Sequence, residues 1–118
     1  MNIARTTWFA VLVGCSTVTF AHTHLVKSVP AEGSTVAISP PSFVLTFTEP
    51  ATLTALSLQK AGEPARKLGP LPRAAAAEIS VPAPPLTAGK YMLSWRVLSK
   101  DGHVMPGKVR FTVGPSGA

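Results

Sequence analysis

Apolar residues recur at every second position in several stretches of this chain, and prolines separate the stretches. In the clearest stretch, 90–98, Tyr91, Leu93, Trp95 and Val97 alternate with a second set of side chains on the opposite face. Alternation with a period of two is typical of a β-strand that buries one face. The sequence also has twelve prolines, which remove backbone donors and interrupt helices. Both features argue against a helical protein.

The same pattern predicts six strands, at 24–27, 43–48, 53–59, 78–81, 90–98 and 108–113, with room for a short one in the loop 62–73. Glu49-Pro50 is predicted to end the second strand. The last two strands are predicted to form a hairpin with a long tip. About seven short strands separated by turns predict an all-β fold, an antiparallel immunoglobulin-like or cupredoxin-like β-sandwich.

The first 21 residues resemble a secretory signal peptide. Arg5 gives a positive start, residues 8–14 are almost wholly apolar, and Thr19-Phe20-Ala21 places small residues at a cleavage site. The apolar run is too short and too interrupted to predict a membrane span. We therefore expect a signal peptide at 1–21 and an exported domain at 22–118 that begins with His22.

The single cysteine leaves a second processing route open. Leu12-Val13-Gly14-Cys15 resembles the lipobox of bacterial lipoproteins, in which cleavage precedes an acylated cysteine. The apolar segment Val18-Thr19-Phe20 favours cleavage after Ala21, because a lipoprotein tether is usually polar. In either case the domain contains no disulfide and no thiolate metal site.

The predicted domain is basic. It has ten Lys and Arg against five acids, because Arg5 lies in the signal peptide, and its net charge is 10 − 5 = +5. Such a charge can favour nucleic acid or phospholipid headgroups. The basic residues are scattered along the sequence and are not interleaved with aromatics, so we interpret them as ordinary surface charge and expect no nucleic-acid partner.

All three histidines fall in two short stretches, His22-Thr23-His24 and Asp101-Gly102-His103. Gly102 permits a turn in which the flanking carboxylate and imidazole point to the same place. Cu(II) favours imidazole nitrogens, amines and carboxylate oxygens in a tetragonal arrangement. If His22 is the first residue, its amine and ring can chelate copper, with His103 and Asp101 completing a histidine brace.

Several stretches resemble the CopC family of copper-binding proteins: His22 to Ala31, Trp95 to His103, Phe47 to Pro50 and Pro85 to Tyr91, with Gly107 and Phe111 to Val113. The resemblance spans the whole predicted domain. It implies a β-sandwich, a periplasmic location and binding of Cu(II), with His22, Asp101 and His103 as the ligands. It also suggests delivery to an inner-membrane copper transporter of the CopD type, or a role in copper tolerance.

Three further features of the sequence bear on how copper is bound and in which oxidation state. His24 at position three of a free terminus could form a square plane with the amine and two backbone amides, without His103. Glu49 is interpreted as a turn acid, with an alternative role near the metal. Some family members carry a methionine-rich Cu(I) site, but residues 56–71 contain no methionine, so we predict no comparable Cu(I) site.

We therefore expect a monomer that binds one Cu(II), buffers it or passes it on, and is not an enzyme. Two rivals remain. The same brace serves copper monooxygenases that cleave polysaccharides, although this sequence lacks an obvious row of exposed aromatics. The other rival is a lipoprotein interaction module anchored at Cys15, with incidental histidines.

Overall fold

The computed structural model describes residues 23–114, which form seven β-strands and no helix. The strands are β1 Leu25–Val29, β2 Ser34–Val36, β3 Ser42–Lys60, β4 Arg66–Lys67, β5 Ala76–Pro82, β6 Gly89–Ser99 and β7 Val104–Val113. Within this described range no helix is long and apolar enough to span a membrane. The predicted all-β class and strand number are confirmed, including the short strand expected inside 62–73.

The long strand β3 belongs to two groups of strands. Its first part, 42–47, pairs with β1 on one side and β5 on the other. Its second part, from Ala51 onward, pairs with β6 and β4. β6 then pairs with β7, and β7 with β2. The pairings are antiparallel, apart from β2 and β7, which run parallel.

The two groups of strands pack face to face over one apolar core. The Phe43 ring, from the smaller group, lies 5.9 Å from the Phe111 ring of the larger one, and Tyr91 stacks on Phe111 at 5.5 Å. Each fully buried Leu, Val or Phe side chain contributes about 1.5–3 kcal/mol. The buried apolar residues are Phe43, Leu45, Phe47, Ala51, Leu53, Leu56, Leu58, Ile79, Val81, Leu86, Tyr91, Leu93, Trp95, Val97, Val109, Phe111 and Val113. The predicted sandwich and its predicted inward faces are confirmed.

The predicted strand end at Glu49-Pro50 is wrong, because β3 continues through both residues. Proline is tolerated there because the strand is changing partners. The ladder to β5 is interrupted between Thr46 and Ala51, and the ladder to β6 starts at Ala51. A missing N–H therefore costs no regular sheet hydrogen bond.

The predicted long hairpin tip is also wrong. β7 begins at Val104 rather than at Lys108, since Met105 pairs with Val97 and packs against the core. Pro106 is compatible with this strand because β2 pairs with β7 only at 111–113 and leaves that side of β7 open at Pro106. The tip is thereby reduced to residues 100–103.

Gly107 lies opposite Trp95 in the β6 and β7 pair. A Cβ atom at position 107 would lie closer than 3.0 Å to three atoms of the Trp95 indole, which is buried. We expect Gly107→Ala to lower the free energy of unfolding by about 1–3 kcal/mol, the usual cost of overpacking a core. Urea unfolding followed by circular dichroism measures the loss. Gly69→Ala, where the nearest atom is 3.9 Å away, is the control; equal stability of both variants would contradict the prediction.

Candidate metal centre

The Asp101-Gly102-His103 stretch forms the tight turn between β6 and β7. Ser99 N donates to His103 O at 2.9 Å, and Gly102 N donates to Ser99 O at 3.0 Å. Gly102 has φ +86°, a left-handed conformation that glycine adopts without a Cβ penalty. Within the tip, the hydrogen bond from Ser99 N to His103 O encloses the three residues 100–102, and a three-residue hairpin loop commonly ends in such a glycine. The turn therefore fixes the backbone on both sides of the predicted ligands.

The Asp101 carboxylate is held by hydrogen bonds within this turn. Its Oδ1 accepts from the Ser99 hydroxyl and from His103 N, the latter at 3.4 Å. The hydrogen bond from the Ser99 hydroxyl is the main cause that lowers the pKa of Asp101 below its ordinary value. Desolvation opposes it, and the backbone amide and charge of His103 add to the lowering. Asp101 is therefore an anion at neutral pH.

The His103 ring is oriented by Asp101. Its Nδ1 lies 3.0 Å from Asp101 Oδ2, while 56% of the His103 side chain and 34% of the Asp101 side chain is exposed. A carboxylate at Nδ1 fixes the tautomer and the ring plane of a metal-binding histidine. The structure thus brings two of the three predicted ligands together at a solvent-accessible tip.

The first described residues are tied to the middle of β3. The buried Thr23 donates from its hydroxyl to Glu49 O at 2.9 Å. His24 N donates to Thr48 Oγ1 at 3.0 Å, and Thr48 N donates to His24 O at 2.9 Å. This segment therefore has a fixed position although it precedes β1.

The anchor of Thr23 lies close in the sheet to the histidine turn. Glu49 is two residues from Ala51, a distance of roughly 7 Å along an extended strand. Ala51 pairs with Ser99, the residue that begins the turn. Thr23 therefore lies toward the same end of the molecule as Asp101 and His103.

The other predicted site residues have mixed outcomes. His22 lies outside the described residues. Glu49 is half-buried within β3 instead of ending a strand, and it supplies the carbonyl that holds Thr23. Among residues 23–114, no three His, Cys, Asp or Glu side chains come together in one cluster. His24 is exposed beside Thr48.

Sequence reasoning missed two residues that organise the site. Ser99 is buried and its hydroxyl contacts both Asp101 Oδ1 and His103 O, the latter at 3.1 Å. A serine two positions before an Asp-Gly turn was a signal for the first contact, because hydroxyls often bond to nearby turn residues. Thr23 had no local signal, since its partner is 26 residues away.

Comparison with known proteins identifies the family. The family model of the CopC domain matches residues 25–114. The chain belongs to the CopC family. A relative named copper resistance protein C from Xanthomonas campestris pv. juglandis is 34% identical over 122 residues, with 95% of each chain covered. Its namesake from Pseudomonas syringae pv. tomato is 35% identical, with coverage of 91% of this chain and 92% of that protein.

Solved CopC-family structures share the fold. CopC from Methylosinus trichosporium OB3b has a TM-score of 0.68 and 30% identity, covering 82% of this chain and 98% of that one. PcoC from Escherichia coli, described as a methionine-rich copper resistance protein, has a TM-score of 0.56 and 30% identity, covering 79% and 99%. This CopC-family chain has only three methionines in its whole sequence, and of these Met105 packs against the core.

Proposed function

We propose that this CopC-family chain is an exported, periplasmic protein that binds one Cu(II) as cargo through His22, Asp101 and His103. The observation that carries the proposal is the anchoring of Thr23 to Glu49, two residues from the strand position that pairs with Ser99. His22 is covalently joined to Thr23. A terminal amine and imidazole at His22 would therefore start from the end of the sandwich that carries the histidine turn.

The donor types suit this metal. One carboxylate and one imidazole lie 3.0 Å apart in the turn, and His22 would add an imidazole and an amine. Nitrogen donors with a carboxylate oxygen match the preference of Cu(II), whereas Cu(I) prefers thioethers and thiolates. Residues 56–71 have no methionine, and Met105 faces the core, so we propose that the cargo is Cu(II) alone.

The turn is organised before any metal arrives. Ser99 holds Asp101, and Asp101 contacts His103 Nδ1, so both proposed ligands already lie within one hydrogen-bonded turn. Preorganisation of this kind reduces the entropic cost of ligation. The exposure of the His103 ring gives copper access from solvent and leaves a route by which it can be passed to another protein.

Binding, rather than catalysis, is the proposed activity, because the relatives are named for copper resistance and not for a reaction. Delivery to an inner-membrane transporter of the CopD type, and action as a monomer, remain predictions from the family resemblance. These proposals all depend on a terminus at His22.

The native mass of the protein recovered from an exporting bacterium, with one equivalent of Cu(II) added, tests the proposal. We expect a chain that starts at His22 and carries one copper. A chain that starts at an acylated Cys15 would contradict the proposal, because the amine at His22 would then be a peptide nitrogen. Recovery of the His22 chain without bound copper would contradict it equally.

A further inference from the structure

Five basic residues that are distant in sequence share the outer face of the larger group of strands. On β6 and β7, the buried residues Leu93, Trp95, Val97, Val109 and Phe111 alternate with exposed Lys90, Arg96, Lys108 and Arg110. Lys67 on β4 pairs with Ser57, which lies between the buried Leu56 and Leu58 and therefore faces the same way. Half of the ten basic residues after position 21 thus lie on one face.

The register places the central cations in one row across the strands. Lys67 pairs with Ser57, Ser57 with Ser94, and Ser94 with Lys108. Adjacent strands are about 4.8 Å apart, so the row spans roughly 14 Å. Arg96 lies two residues after Ser94 on β6 and faces the same way. With Lys67 and Lys108 it forms a triangle of positive charges around the serine hydroxyls of the row.

This face is not neutralised by the fold. Lys67, Arg96 and Lys108 line a groove of about 740 Å³ that has no Asp or Glu among its lining residues. Within residues 23–114, none of these three side chains forms an ion pair. Glu32, in the turn before β2, accepts a hydrogen bond at its Oε2 from the backbone N of Arg110 at the edge of β7.

Two exposed aliphatic residues continue the same face toward the histidine turn. Leu98 on β6 pairs with Val104 on β7, and they are 38% and 56% exposed. Surface cations gain about 1 kcal/mol each near an anionic bilayer, and apolar side chains beside them can enter the headgroup region. A sheet face with several cations and two exposed aliphatic side chains suits an extended layer of lipid phosphates.

We propose that the outer face formed by β4, β3, β6 and β7 docks on anionic phospholipid through Lys67, Arg96 and Lys108. Lys90 and Arg110 extend the contact at one end, and Leu98 and Val104 at the other. Docking in this way would hold the histidine turn next to the bilayer. The inference does not depend on copper binding and can hold or fail independently of it.

Cosedimentation with vesicles tests this docking. The probe is an equal mixture of phosphatidylglycerol and phosphatidylcholine, with pure phosphatidylcholine vesicles as the neutral reference, and the exported protein is used without copper. We expect binding to the anionic vesicles only, weakening as salt rises. The triple variant K67Q/R96Q/K108Q should bind about 100-fold more weakly, since it loses three surface cations.

A matched triple variant, K27Q/R66Q/R73Q, removes the same charge from exposed positions outside this face. It should keep most of the binding, and thermal unfolding of both variants verifies their folding. Equal loss in the two variants would overturn the proposal, because net charge alone would then explain binding. Binding to polyglutamate but not to the anionic vesicles would overturn it in favour of an acidic protein partner.

Discussion

Replacing His103 with alanine should weaken Cu(II) binding by more than about 100-fold, beyond the 10–100-fold that loss of an outer-shell partner usually costs. His103 is the proposed ligand whose ring the fold already orients, through Asp101 Oδ2 at 3.0 Å. Its removal takes away one nitrogen donor and leaves Asp101 without the group it holds. Competition with a chromophoric chelator at neutral pH measures the affinity.

His24→Ala is the matched control for this measurement. His24 is exposed, and its backbone is held by Thr48 whatever its side chain. The proposed brace therefore predicts nearly unchanged affinity in His24→Ala. The opposite result, with a large loss in His24→Ala and little in His103→Ala, would identify the square-planar amino-terminal motif and exclude the brace.

Local periodicity was sufficient to predict the strands with long alternating faces. The inward sets on β6 and β7, and Phe43, Leu45 and Phe47 on β3, are buried as their spacing predicts. An alternation with a period of two predicts which side chains are buried, because one face of each strand meets the core. β2 was not predicted, because its three residues are too few for an alternation and follow the Gly33 turn.

The strand boundaries depended on partners that the local sequence does not reveal. Pro50 and Pro106 look like strand breakers, yet both lie in strands. One is where β3 changes partners, and the other is where one side of β7 is open. Proline disrupts only a ladder that needs its N–H, and this need is a property of the assembled sheet.

The contacts of the candidate site also divide into a local one, which the sequence could predict, and a long-range one, which it could not. The contact between Asp101 and His103 follows from a glycine turn within three residues, so the sequence alone could predict it. The hydrogen bond of Thr23 to Glu49 depends on the register between β1 and β3, which local patterns do not specify. Thr23 is therefore a residue that only the structure connects to the proposed metal site.

Affinity for Cu(II) should fall by more than about 100-fold between about pH 7.5 and pH 5, because two imidazoles and one terminal amine must lose protons to bind the metal. Chelator competition at the two pH values, corrected for protonation of the chelator, measures the change.

Asp101 should add nothing to this dependence. Its pKa is lowered by the Ser99 hydroxyl and by His103, so its carboxylate stays ionised well below pH 5 and remains a ligand throughout. The amino-terminal alternative would be steeper, since it must also release protons from two backbone amides. Equal affinity at the two pH values would refute coordination by imidazole and amine altogether.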